Sequence, residues 1–165
     1  MNNIKISILI SAYNVENYIE ECLHSLKCQT LKEIEVIIVD DGSTDKTGEI
    51  AEMYAHSDRR FRVVHQSNKG LTQSRNIGLS LAQGKYVGFV DGDDYVSKDA
   101  FEQLFLRAEA YSADIVLGSV LYTYEDGTFQ RVGNKSVAFQ SHSGTMEGKQ
   151  CFKLLIKTGC YIPMV

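Results

Sequence analysis

The stretch IEVIIVDDGSTD, Ile34 to Asp45, decides the fold. Its first part, Ile34 to Val39, is a short, nearly continuous run of β-branched residues, the pattern of a strand buried on both faces. The run breaks into Asp40, Asp41 and Gly42. Ser43, Thr44 and Asp45 then offer side-chain oxygens that cap a helix reaching about Ala55. A buried strand that ends in carboxylates and turns directly into a helix is half of a βαβ unit. The same grammar appears on either side of it. Lys5 to Ile10 reads as a strand ending in Ser11-Ala12-Tyr13-Asn14. Glu16 to Cys28 follows as an amphipathic helix, with Tyr18, Ile19, Cys22, Leu23 and Leu26 at helical spacing. Downstream, Phe61 to His65 reads as a third strand. Leu71 to Ala82 reads as a helix with Gly84 as its stop. Tyr86 to Val90 reads as a fourth buried strand, ending in Asp91-Gly92-Asp93-Asp94. Ser97 or Asp99 caps a further helix to about Ala110. Alternating strands and helices of this kind predict an α/β fold, with a parallel sheet covered by helices on both faces.

After Ser112 the pattern changes. Ile115 to Tyr124 and Thr128 to Val132 read as two strands joined by a tight turn at Asp126-Gly127. Asn134 to Gly148 is polar and reads as a loop, and Glu147 to Thr158 as a helix. The whole chain has 165 residues, which suits one domain with a real core. With 17 basic and 21 acidic residues its net charge is −4, so it lacks the basic footprint of a nucleic-acid binder. No apolar run approaches the roughly 18 residues of a membrane span. The four cysteines, Cys22, Cys28, Cys151 and Cys160, form no C-x-x-C pair. They read as reduced thiols in core or half-buried helix positions, as expected in a cytoplasmic compartment.

The chemistry is expected at one edge, because open α/β sheets bind ligands beyond the carboxyl ends of their strands. Asp91, Asp93 and Asp94 crowd three carboxylates into four residues, which repel unless a cation joins them. Mg²⁺ or Mn²⁺ accepts one or two such carboxylates together with water and phosphate oxygens. The plain alternative is an acidic turn that caps the next helix. An EF-hand fails, because Val96 stands where that loop requires glycine. Asp41 suits a hydrogen bond from a nucleobase or ribose, while Ser43 to Asp45 suit a turn and cap. Tyr13 is placed to stack on a base or to pack as a half-buried aromatic. Arg75, in the helix opened by Asn68-Lys69-Gly70, is placed to clamp a diphosphate or to lie solvated. Gly78 within that helix costs about 1 kcal/mol against alanine and implies a close contact with a strand or ligand.

Taken in order, the strand-one SxYN, the VDDGSTD segment, NKG with SRNIGL, GKYVGFVD and DGDD resemble the family-2 glycosyltransferases, most closely from Ile4 to Phe105. That resemblance implies a GT-A fold, a three-layer α/β/α sandwich around a mainly parallel, Rossmann-like sheet. It also implies transfer of a sugar from a nucleotide-diphosphate donor, most often a UDP-sugar, to an acceptor hydroxyl with inversion. By the resemblance, Tyr13 stacks on the donor base, Asp41 bonds to it, and Arg75 lies near the diphosphate. Asp93 is the nearest contact of a Mn²⁺ or Mg²⁺ ion, and Asp91 contacts the ion and the sugar or ribose. Ser11-Ala12 departs from the family's frequent proline-containing start, and Gly92 replaces a common serine. Acceptors of similar enzymes are saccharides or lipid-linked sugars at the cytoplasmic face of a membrane, with peripheral attachment of the enzyme.

The family's catalytic base lies well after the DxD motif, and Glu125, Asp126 and Glu147 do not match its context. Residues 1–165 are therefore expected to be a single glycosyltransferase domain truncated at its carboxyl end, with the base beyond Val165. Residues 1–112 would bind the nucleotide sugar and residues 113–165 begin the acceptor side. Two other classes compete. One is a non-catalytic nucleotide-sugar-binding module. The other is a DxD phosphatase, which places its motif after the first strand and a Thr or Val where Tyr95 stands here.

Overall fold

The computed structural model of the protein describes residues 4–118, 121–124 and 128–131. The expected loop over 134–148 and helix over 147–158 lie outside them, as do Cys151 and Cys160. The chain divides into two compact units, Met1–Phe105 and Leu106–Val165. The first holds β1 (Ile6–Ala12), α1 (Ile19–Lys27), β2 (Ile34–Asp40), α2 (Thr47–Ser57), β3 (Phe61–His65), α3 (Leu71–Leu81) and β4 (Tyr86–Asp91); α4 (Ala100–Tyr111) begins in it. The four strands form one parallel sheet in the order β3-β2-β1-β4. Chain order runs outward from β1 to β3 and then returns to its other side, so the switch point of the sheet lies between β1 and β4.

Alternation along β1 and β2 sorts the core into two layers. Ile6, Ile8 and Ile10 with Val36 and Ile38 face α1, α2 and the first turns of α4. Leu9, Ile37 and Val39 face α3, through Ile77 and Leu81. Helix α1 inserts Ile19, Cys22, Leu23 and Leu26, all fully buried, at the spacing of one helical face. Each such aliphatic side chain contributes roughly 1.5–3 kcal/mol by leaving water. Gly78 is explained by the strand: a Cβ there would lie 3.3 Å from both methyls of Leu9. Gly88 of β4 makes room for the Phe101 ring in the same way, at 2.7 Å.

Several expectations need correction. Helix α1 starts at Ile19 rather than Glu16, because residues 16–18 form a turn in which Tyr18 and Ile19 both donate to the Val15 carbonyl. Gly84 is not a left-handed helix stop. Helix α3 ends at Leu81 and passes into extended backbone at Ala82, and Gly84 is required because a Cβ there would lie 2.5 Å from Ser7 N. Strand β4 is buried on one side only: Val90 is enclosed, whereas Val87 and Phe89 on the opposite face are 38% and 45% exposed. Cys22 is buried as expected, but Cys28 at the end of α1 is exposed; both thiols are free.

In the second unit β5 (Leu121–Thr123) and β6 (Phe129–Arg131) pair antiparallel, closed by Tyr124 N donating to Thr128 O. The hairpin thus begins six residues later than Ile115, since residues 115–118 carry no regular structure. Its turn residues lie outside the described ones. Among the described residues no helix is long and apolar enough to cross a membrane.

Candidate functional site

The sheet register brings the polar strand ends together. Ala12 is opposite Asp40, Ser11 opposite Asp91, and Asp40 opposite His65. Four segments distant in sequence therefore share one edge.

The loops after β1 and β2 are joined by hydrogen bonds. Asn14, at φ +51°, donates its N–H to Ser43 Oγ and accepts from Thr44 N at 2.8 Å through Oδ1. Val15 N donates to Thr47 Oγ1, Glu16 N to Asp45 Oδ2, and Lys46 N to the Glu16 carboxylate. Asp45 also accepts from Thr47 N at 2.9 Å. Ser43 and Thr44 thus belong to a turn tied to Asn14, and of the expected caps only Asp45 reaches the start of α2, through Thr47 N; the residue at the capping position is Lys46, with no side-chain bond. Gly42 at φ +76° allows the turn, since a Cβ there would lie 2.7 Å from Asn68 N.

Asp41 is buried on the α3 side of this turn. Its Oδ1 accepts from Gln66 Nε2 at 2.6 Å and Lys69 N at 2.8 Å, and its Oδ2 from Gly70 N at 2.7 Å. Burial alone raises its carboxyl pKa, but the bonds from Lys69, Gln66 and Gly70 outweigh that and hold it below the usual range. The anion gathered at the start of α3 is thus the protein's own carboxylate. A carboxylate has about four acceptor sites, so three donors leave one. Beside it opens a cavity of about 290 Å³ lined by Ser11, Ala12, Tyr13, Asp41, Asn68 and Leu71, among others. That is near the lower end of small-molecule sites. Tyr13, 49% exposed, forms one wall.

The other carboxylates flank the β1–β4 switch point. Asp91 is 52% exposed and its Oδ1 accepts from Arg75 Nη2 at 2.9 Å. The Arg75 guanidinium lies 5.6 Å from the centre of the Phe89 ring and is only 17% exposed, so it is no solvated helix residue. Asp94 N donates to Asp91 O, folding the DGDD segment into a turn against β1 and α1. Gly92 fits there because a Cβ would lie 3.2 Å from Val15 and 3.4 Å from the Ser11 carbonyl. Burial raises the Asp94 carboxyl, and the charges of Asp93 and Asp91 raise it further. Burial and the same three aspartates push the Cys22 thiol up to about 12, which makes it inert as a nucleophile. The cluster thus carries negative charge that Arg75 compensates only in part, on exposed hard-oxygen donors, which fits a hard divalent cation. Among the described residues no three metal-ligating side chains form a cage. Asp91 and Asp93 would accordingly hold such an ion together with ligand phosphates, the usual manner of Mg²⁺ and Mn²⁺.

Two features escape sequence reading. Gln66 and Ser74 orient Asp41: Gln66 Nε2 also donates to Ser74 Oγ at 3.0 Å, and Ser74 Oγ donates to Gly70 O. Neither has a motif of its own. Asp40, the other half of the acidic pair, faces the opposite layer. Its Oδ2 lies 2.8 Å from His65 Nδ1, whose Nε2 lies 3.0 Å from Glu52 Oε1. Both contacts are hydrogen bonds only when the ring carries both protons. The bonds to Asp40 and Glu52 raise the His65 pKa accordingly.

Comparison with known proteins accords with this arrangement. The profile of the family described as "Glycosyl transferase family 2" matches residues 7–163. The uncharacterized glycosyltransferase EpsJ of Bacillus subtilis is 55% identical over 111 residues, covering 67% of this chain and 32% of its own length. A cholesterol galactosyltransferase of Borreliella burgdorferi is 38% identical over 155 residues, covering 93% of this chain and 42% of its own length. Among solved structures, residues 1–349 of S. aureus TarS in complex with UDP-GlcNAc align with a TM-score of 0.63 at 37% identity. That alignment covers 67% of this chain and 32% of that one. The chain thus spans less than half the length of these relatives. The strand order, the shared edge and these matches lead to one conclusion: the chain belongs to glycosyltransferase family 2 and has the GT-A fold.

Proposed function

We infer that this edge binds a nucleoside-diphosphate sugar, with UDP as the nucleotide, for inverting transfer of the sugar to an acceptor hydroxyl. The observation that carries the reading is one edge holding two complementary halves. The Tyr13–Asp41 cavity suits a base, and the adjacent Arg75, Asp91 and Asp93 suit a diphosphate with its cation. The TarS complexes with UDP-GlcNAc and with UDP support the choice of nucleotide. Tyr13 offers a ring face for stacking. Asp41, ionised and with one acceptor position left, suits an N–H of the base and disfavours a lone pair there. Arg75 donates to the diphosphate oxygens as the leaving group gains charge. Asp91 and Asp93 would hold Mn²⁺ or Mg²⁺, which when bound supplies Lewis-acid stabilisation of that same charge. The proton of the acceptor is assigned to a carboxylate outside the described residues. Saccharide or lipid-linked acceptors, and the synthesis of a polysaccharide or glycolipid at a membrane face, suit this chemistry.

Titration calorimetry of UDP and UDP-GlcNAc, with and without Mn²⁺, tests the reading. UDP binding strengthened about tenfold or more by Mn²⁺, and an Asp93→Asn variant that loses this gain, are expected. Absence of UDP binding under either condition would overturn it.

A further inference from the structure

The ion pair between Arg75 and Asp91 joins two groups to which the donor reading gives different partners. The guanidinium is tightly held, lying against Phe89 and 17% exposed, whereas the carboxylate is 52% exposed. The backbone beneath Arg75 cannot follow a moving side chain. Ser74 is tied to Gly70 and Gln66, and α3 packs so closely on β1 that a Cβ on Gly78 would lie 3.3 Å from Leu9. Exchange of partners at Asp91 is therefore a matter of the two side chains and not of the helix. Asp93 and Asp94 stand within three residues of Asp91, so a single guanidinium compensates only part of the local negative charge.

We propose that Arg75 is the resident counter-ion of Asp91 and controls entry of the divalent cation. Guanidinium and cation compete for one carboxylate, and the nucleotide's diphosphate relieves that competition by taking Arg75. This rests on the assignment of Asp91 and Asp93 as cation ligands. Its consequence is linkage: the diphosphate strengthens cation binding by withdrawing Arg75, and the cation strengthens diphosphate binding by the same factor. Toward the cation Arg75 thus acts as a positioning residue, through Asp91, while toward the diphosphate it is a direct contact. The cation alone is held weakly, and the nucleotide-loaded site holds it well.

The test measures Mn²⁺ alone, by the loss of the free-ion paramagnetic resonance signal, on wild type, Arg75→Met, Arg75→Gln and Arg75→Lys, with thermal unfolding as the check of folding. Removing the charge is expected to tighten binding of Mn²⁺ alone by roughly three- to tenfold, the range of an exposed ion pair plus a nearby like charge. The same Met and Gln variants should bind UDP more weakly in the presence of Mn²⁺ and show a smaller mutual enhancement between UDP and Mn²⁺. Arg75→Lys, which keeps the charge, should return the affinity for Mn²⁺ alone toward wild type. A merely structural role for Arg75 would weaken both ligands together. Wild type binding Mn²⁺ with the Met and Gln variants unchanged or weaker overturns the competition alone. No Mn²⁺ binding by any form, with or without UDP, overturns the cation assignment and this proposal with it.

Discussion

Replacing Asp41 by asparagine separates the two duties of that carboxylate. With its amide oxygen at the position of Oδ1, asparagine keeps the bonds from Gln66 and Lys69, but as neutral ones. Its NH₂ then faces Gly70 N–H, which now donates to nothing; the reverse orientation sacrifices two bonds and is worse. A hydrogen bond to a charged group contributes about 1.5–3 kcal/mol and a neutral one about 0.5–1.5. Two weakened bonds and one lost bond therefore cost roughly 3–5 kcal/mol. Relief of the carboxylate's desolvation returns about 1–2. The net loss is roughly 1–4 kcal/mol, a fall of about 0.5–2 M in the urea midpoint at a slope of about 2 kcal/mol/M. UDP affinity should fall at least tenfold, because the loop 66–70 and the remaining acceptor are disturbed together. The pH dependence has a definite sign. The folded-state pKa of Asp41 is lowered, so its contribution is present above the unfolded value near 3.9 and is lost as pH falls toward the folded one. The gap between wild type and Asp41→Asn should therefore narrow below about pH 4. An Asp41→Asn protein with an unchanged urea midpoint and unchanged UDP affinity at pH 7 would refute the assignment of both duties.

Three further outcomes are expected. Tyr13→Ala should weaken UDP by roughly five- to a hundredfold, the range for one base–aromatic stack, whereas Tyr13→Phe should bind normally. Calorimetry decides, and thermal stability should hardly change because the ring is half exposed. Gly42→Ala forces an L side chain into φ +76° and against Asn68 N, and should lower stability by about 1–3 kcal/mol by denaturant titration, with weaker UDP binding. His65→Gln removes an imidazolium held by Asp40 and Glu52. The folded pKa of His65 is raised, so its contribution is complete below about 6.5 and is lost as pH rises through the higher folded value. Melting curves of wild type and variant should differ most near pH 6 and converge in alkaline solution; a constant difference would contradict the pairing.

Much of the fold is legible in local pattern. The β-branched runs of β1 and β2 demand burial on both faces, and the spacing of Ile19, Cys22, Leu23 and Leu26 demands a helix with one apolar side. The strand ends announce themselves by abrupt polarity, and Gly78 by its cost. Less legible were the elements whose environment depends on distant neighbours. Strand β4 has the apolar composition of a covered strand, yet Val87 and Phe89 stay open, because covering them depends on what packs beside α3 and not on the strand itself. Gly84 looks like a helix stop in sequence and is instead a point of contact with Ser7, 77 residues earlier.

The sequence by itself determined the parallel α/β layering and the chemical types at one sheet edge, because periods of 2 and 3.6 residues and the avoidance of buried charge are local demands. Only the tertiary structure decided how those groups are used. Three acceptor positions of Asp41 go to the loop 66–70, Asp40 turns to His65 in the opposite layer, and Arg75 reaches Asp91. The reason is the strand order. Returning β4 to the free side of β1 sets Asp91 beside Ser11 and within reach of α3, and no local pattern records that neighbourhood.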